Sequence, residues 1–356
     1  MIAWIAAAAA AALASPAGAG PLSVRLDASA AEAVLAAVQS PTLTPEAAAK
    51  AARLPGNAGL IRKARSYGRP ADEADFTSAL LSAARGEASS ADADYRFAEV
   101  RRAAPEIQQV LRGLTDPSRP ALREVQARIA RFTPARVGGA VDGYLVAGGR
   151  AGGFAFGAPA FYLNVAEFRS PALARTILAH ELYHGVQQLA RTARPPSAAA
   201  VACRAAQPGG GDLSRLFDDL LSEGSASYVG DILALPQDDA AALDERRRAA
   251  RGVALVGRAV TLLQLSSHAL ATDPQASYAE VYALGFLGDE ILYSLGYVMS
   301  RAIVAESGES ALAELIDQPG AVFVVRYASL RSYGAAGAPA LDAATLARAR
   351  ALAACG

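Results

Sequence analysis

Two histidines four residues apart bracket the segment His180-Glu181-Leu182-Tyr183-His184, and the chain has three histidines in all. The spacing calls for a helix, because residues at i and i+4 share one face and present their side chains together. The flanking residues agree. Ser170-Pro171 supplies a capping side chain followed by proline at the first helical position, and Pro195-Pro196 ends the run near Arg194. On such a helix both imidazoles reach a single divalent ion, and Glu181 lies beside the water which that ion binds. Zinc suits this donor set. Held by three protein groups, it keeps a position open and lowers the pKa of its water to about 7, and the resulting hydroxide attacks a carbonyl that the ion also polarises. The bland reading of the same residues is a helix whose histidines only cap a core or bond at the surface.

A third ligand is required, and no HxxGxxH extension follows His184. Glu223 is the candidate, within the run LLSEGSASY of a second helix predicted from near Asp212 to about Leu235. Gly224 beside it would let the two helices approach closely, and Ser227, one turn on, could steady the carboxylate. Asp231 and Asp289 are further candidates to accept from the imidazoles' second ring nitrogens. The alternative for Glu223 is an ordinary exposed helix position.

Composition narrows the class. The chain is 53% hydrophobic and 19% charged, enough for a large core and too apolar for disorder along its whole length. Lys+Arg and Asp+Glu are both 34, so no basic surplus exists to hold a phosphate backbone, and nucleic acid is not an expected partner. The first residues are apolar and then turn into Ser-Pro-Ala-Gly, with Ala17-Gly18-Ala19 as a small-residue cleavage site. That pattern predicts a leader over 1–19 and a secreted or periplasmic protein, although no Lys or Arg precedes the apolar stretch. No later stretch reaches eighteen uninterrupted apolar residues, so stable membrane insertion is not expected. Cys203 and Cys355 could form one disulfide in an oxidising compartment.

Along the chain, residues 20–135 read as a helical region with little that looks chemical. A catalytic region follows over 136–317, and 318–356 form a C-terminal extension. Residues 137–146 and 153–165 are rich in glycine, aromatic and β-branched residues and predict short strands. Residues 195–211 read as loop. Helices are predicted over 241–268, 278–307 and 310–316, then a short strand over 322–327 and a final helix. The result is a mostly helical α+β chain with a small sheet preceding the metal helix. His268, on an apolar helix, reads as a packing histidine.

The runs TILAHELYHGVQ (176–187) and EGSASY (223–228) together resemble the gluzincin zinc peptidases, in which HExxH is followed by a Glu on a later helix. The likeness is to poorly characterised bacterial families of that clan and spans about residues 137–317. It implies a thermolysin-like core, Zn2+ as cofactor, a peptide or protein substrate, and hydrolysis without a covalent intermediate. Tyr293-Ser-Leu-Gly296 is similar to the Tyr-x-x-Gly helix of the M1 aminopeptidases. That similarity implies Tyr293 as the donor to the oxyanion, with Tyr297 one turn further as the alternative. GGFAFGAPAFYL (152–163) resembles the clan's edge strand, which pairs with the substrate backbone. Two features depart from those enzymes. The GxMEN motif that holds a free N-terminus is missing, which turns the expectation towards an endopeptidase, and the stretch between His184 and Glu223 is longer. A zinc-binding protein without turnover is the rival reading, and Glu181→Gln separates the two.

Overall fold

The computed structural model describes residues 22–116, 118 and 121–356. The leader expected over 1–19 lies outside the described residues. The described chain is mostly helical around one small mixed sheet, with buried residues from Ala30 to Leu352 joined in a single hydrophobic cluster.

Four strands build the sheet: β1 (Leu22–Asp27), β2 (Gly139–Val146), β3 (Gly153–Ala155) and β4 (Ala160–Asn164). Their spatial order is β1-β2-β4-β3. The first two contacts are parallel and the last is antiparallel, so β3 is an edge strand running against its neighbour. The strands expected over 137–146 and 153–165 are therefore present. β1 corrects the reading of 20–135 as helical. Leu22, Val24 and Leu26 alternate with Ser23, Arg25 and Asp27, the period of a half-buried strand. Its partner lies more than a hundred residues away, with Leu22 opposite Gly139, and Arg25 pairs with Asp142 of β2 at 2.7 Å.

Each face of the sheet meets a helix that matters for the site. Val141, Leu145, Phe161 and Leu163 are fully buried, and Val141 packs on Gly185 of the long helix Pro171–Ala193. On the opposite face Tyr144, Tyr162 and Phe154 stack across three strands at 5.1 and 4.8 Å. The helix Pro55–Ser66 covers that aromatic row through Gly59 against Tyr162.

Several other elements differ from the sequence reading. The loop expected over 195–211 contains the helix Ala198–Ala205, whose Cys203 is disulfide-bonded to Cys355 across 152 residues. The helix expected over 278–307 is broken into Tyr278–Gly285 and Ile291–Ser307, because Gly288 and Glu290 between them are left-handed (φ +66° and +51°). The helix expected over 241–268 is likewise two, Ala240–Ala254 and Val256–Thr272, bent by 62°. The β-branched run 322–327 lies within the helix Gly320–Ala328, which packs against Glu223's helix, an instance of tertiary packing overriding local propensity. Among the described residues no single helix is long and apolar enough to cross a membrane.

Candidate metal centre

Three helices and one strand edge assemble the site. The first helix, Pro171–Ala193, is capped by Ser170, whose hydroxyl accepts from the Leu173 N–H at 3.1 Å. It carries His180, Glu181 and His184. The second, Gly210–Gly230, carries Glu223. The third, Ile291–Ser307, carries Tyr293.

The two imidazoles and the Glu223 carboxylate converge. His180 Nε2 and His184 Nε2 are 3.0 Å apart, and Glu223 Oε2 lies 3.1 Å from His184 Nε2 and 3.4 Å from His180 Nε2. Zinc–nitrogen and zinc–oxygen bonds of about 2.0–2.1 Å in a tetrahedron place ligand atoms about 3.3 Å apart. The triangle of donors has that size, so the residues fit the ion. Their side chains are 14%, 18% and 17% exposed, shielded yet reachable. No other group of three or more His, Cys, Asp or Glu among the described residues brings potential ligand atoms so close together.

A hydrogen-bond network orients His184. Gln187, one turn further along the helix and buried, donates from Nε2 to the Ser222 carbonyl and to Ser225 Oγ, both at 3.0 Å. Its amide oxygen therefore faces His184 Nδ1 at 2.9 Å, where the ring N–H donates to it. A ring protonated at Nδ1 presents the lone pair of Nε2 to a metal, the usual arrangement for a histidine ligand. Ser222 Oγ donates to the same amide oxygen at 2.8 Å, and Arg191 donates to Ser222 Oγ at 3.1 Å. These supports differ from those expected. Ser227 has no part in the network, Asp231 accepts from Tyr297 at 3.1 Å, and Asp289 is exposed. Gln187 was missed, although its place three residues after His184, on the same helical face, is the signal that could have found it.

Glu181 points into a cleft of about 370 Å³ shared with His180, His184, Glu223, Tyr282 and Tyr293. Its carboxyl group rests on the backbone of Gly153 in β3, where an added Cβ would lie 2.1 Å from Glu181 Oε1. Burial raises the pKa of this carboxyl above the ordinary range, while the two imidazoles oppose that rise. Tyr293 stacks near His180, with ring centroids 6.2 Å apart and planes 12° apart. Burial and the Glu223 carboxylate raise the pKa of its phenol, so it stays protonated and able to donate. Tyr297 does not face the cleft; its hydroxyl is spent on Asp231.

Gly224 plays a different part from the one expected. It faces Gly296 of the Tyr293 helix, where a Cβ on either residue would meet the other's Cα at 2.3–2.6 Å. The helix it admits is thus the one bearing Tyr293. The N-terminal third also contributes: Lys63, from Pro55–Ser66, lines the cleft, and the sequence offered no sign of that. His268 is exposed beside Arg348, at 3.5 Å, and is not a packing residue.

Comparison with known proteins accords with this geometry. A family model described as "Putative zinc dependent peptidase (DUF5700)" matches residues 49–331. The match takes in the metal helix, Glu223, Tyr293 and Lys63. Searches of curated proteins and of solved structures find no match to the chain. With His180, His184 and Glu223 forming a zinc-sized donor set and most of its length matched, the chain belongs to the DUF5700 family.

Proposed function

We propose that the protein hydrolyses internal peptide bonds, with His180, His184 and Glu223 as zinc ligands, Glu181 as general base and Tyr293 as oxyanion donor. The observation that carries this reading is the convergence of three ligand atoms within 3.0–3.4 Å of one another in a cleft that also holds the Glu181 carboxyl. Zinc in that triangle supplies Lewis acidity to a substrate carbonyl and to a water. The protein's own groups do the rest. Glu181, its pKa raised by burial, takes the proton from the attacking water as the oxygen–carbon bond forms. It then hands that proton to the nitrogen as the C–N bond breaks, leaving a carboxylic acid and an amine. Tyr293 donates a hydrogen bond to the oxygen on which negative charge develops. The free edge of β3 borders the cleft and suits an extended peptide adding as a further strand.

A gluzincin-type core is part of the proposal, supported by HExxH on one helix, a Glu on the next, and an antiparallel edge strand beside them. Export is a second part. The Cys203–Cys355 disulfide supports an oxidising compartment.

Glu181→Gln tests the chemistry. The variant should bind zinc as the native chain does and fail to cleave peptides blocked at both ends, which the native chain cuts. A native chain that binds zinc but cuts no peptide in a broad library would instead make this a recognition protein.

A further inference from the structure

The cations that line the cleft are Lys63 and Arg191; Arg191 also donates to Ser222 Oγ at the outer end of the His184 network. Lys50 and Lys63 are the chain's two lysines, and one of them is placed here. Lys63 comes from the helix on the far face of the sheet, with Nζ 5.7 Å from the Phe154 ring centroid and 5.1 Å from that of Tyr67. It is half-buried at the β3 edge, on the Glu181 side of the cleft. Arg191 stands on the metal helix, seven positions beyond His184. Glu181, His184, Gln188 and Arg191 follow one another along one helical face, so Arg191 marks the opposite end, about 15 Å of helix rise from Glu181.

Neither cation has a carboxylate within 4.0 Å among the described residues. Cations elsewhere in the fold show the contrast. Arg136 holds both Asp317 and Glu314, and Arg96 holds both Glu99 and Glu167. An ammonium group that gives up part of its water without gaining a paired counter-charge is unfavourable, and burial lowers the pKa of Lys63 accordingly, with the Glu181 carboxyl opposing that fall. The anion nearest to it, Glu181, is engaged as the base. Once a divalent ion occupies the triad, the cleft carries a net positive charge, and neither Lys63 nor Arg191 has a carboxylate at ion-pair distance among the described residues. An anionic ligand completes that arrangement.

Resting on the peptidase reading of this same cleft, we propose that the protein selects acidic peptides: Lys63 and Arg191 receive substrate carboxylates, one on each side of the bond to be cut. An extended peptide advances about 3.3 Å per residue, so the two cations address side chains several residues apart. The peptide backbone at the β3 edge and the two carboxylates together fix the register of the substrate.

The test uses the zinc-loaded full chain and quenched peptides blocked at both ends, identical except for Glu, Gln or Lys at one position on either side of the cut. A parallel set, fluorescein-labelled, is titrated by anisotropy against zinc-loaded Glu181→Gln, which reads binding without turnover. The native chain should favour Glu over Gln about tenfold in kcat/KM, the factor expected of one additional well-placed charge contact. Lys63→Gln should bring that ratio to about one at one position, and Arg191→Gln at a position across the cut. Lys63→Arg should keep it, which excludes loss of fold as the cause. A ratio near one in the native chain, or one unchanged by Lys63→Gln and Arg191→Gln, overturns the assignment even when cleavage is vigorous. If nothing is cut, yet Glu181→Gln binds the Glu peptides about tenfold more tightly and loses that preference with Lys63→Gln, selectivity stands and the peptidase reading fails. Absence of both cleavage and preference overturns both.

Discussion

Gly224 and Gly296 meet backbone to backbone where the Glu223 helix crosses the Tyr293 helix, so closely that a methyl group on either would overlap the other's Cα. Each glycine sits beside or one turn from a residue of the site. Their contact sets how near the Tyr293 phenol comes to the triad of His180, His184 and Glu223.

Gly296→Ala should therefore push the two helices apart. We expect a stability loss of about 1–3 kcal/mol, the usual result of overpacking, measured by denaturant unfolding. Activity should fall further than zinc content does, because Glu223 stays with the metal helix while Tyr293 withdraws. Equal loss of zinc and activity would contradict this account of the crossing.

Gly153→Ala acts on the proposed base, Glu181, alone. The added methyl group occupies the place of the Glu181 carboxyl and forces it to turn away. A displacement of about 1 Å in such a group lowers kcat by about 100-fold, and zinc stoichiometry should remain that of the native chain. Metal analysis beside steady-state kinetics checks both.

Gln187→Leu removes the acceptor that fixes the His184 ring and leaves the Ser222 carbonyl without its side-chain donor. Support of this kind is worth about 10–100-fold in metal affinity. Competition with a chromophoric chelator measures it, and an unchanged affinity would show that the network does not orient the ligand.

Proton linkage gives a signed prediction. Burial disfavours the charged His184 ring, but the hydrogen-bonded Glu223 carboxylate outweighs it and pushes the ring up to about 9, while Glu223 is held well below the carboxylate range. In the metal-free protein this pair is fully stabilising only between the unfolded carboxylate pKa of about 4.3 and the unfolded histidine pKa of about 6.5; the stabilisation is lost as pH rises through about 9 and, on the Glu223 side, as pH falls below the carboxylate range. Zinc must displace that proton. Its affinity should climb about tenfold per pH unit between pH 6.5 and 8.5 and then level off, with close to one proton released per ion near neutrality. Calorimetry in buffers of different ionisation enthalpy reads the proton count, and affinity that is flat across that window would refute the linkage.

What could be read from the residues was what local spacing encodes. The i, i+4 histidines, the Ser170 cap and the glycine-aromatic strands all carry their signal within a few positions, and they brought His180, Glu181, His184 and Glu223 onto the elements expected of them. Long-range pairing was not legible. β1 finds its neighbour only after the chain has wound through the N-terminal helices, and Lys63 enters the cleft by the same route. The break before Tyr293 was hidden because its left-handed residues interrupt an otherwise apolar helical run. The 322–327 run was misread because β-branched residues pack equally well on a helix once a partner helix covers them.

The zinc K-edge absorption spectrum of the purified full chain reads the His180, His184 and Glu223 triad directly. It should show one zinc per chain with two imidazole nitrogens and a carboxylate oxygen at about 2.0–2.2 Å, no sulfur, and loss of that oxygen contribution in Glu223→Ala. A chain that takes up no zinc at neutral pH, or whose zinc environment is unchanged by Glu223→Ala, would contradict the zinc assignment.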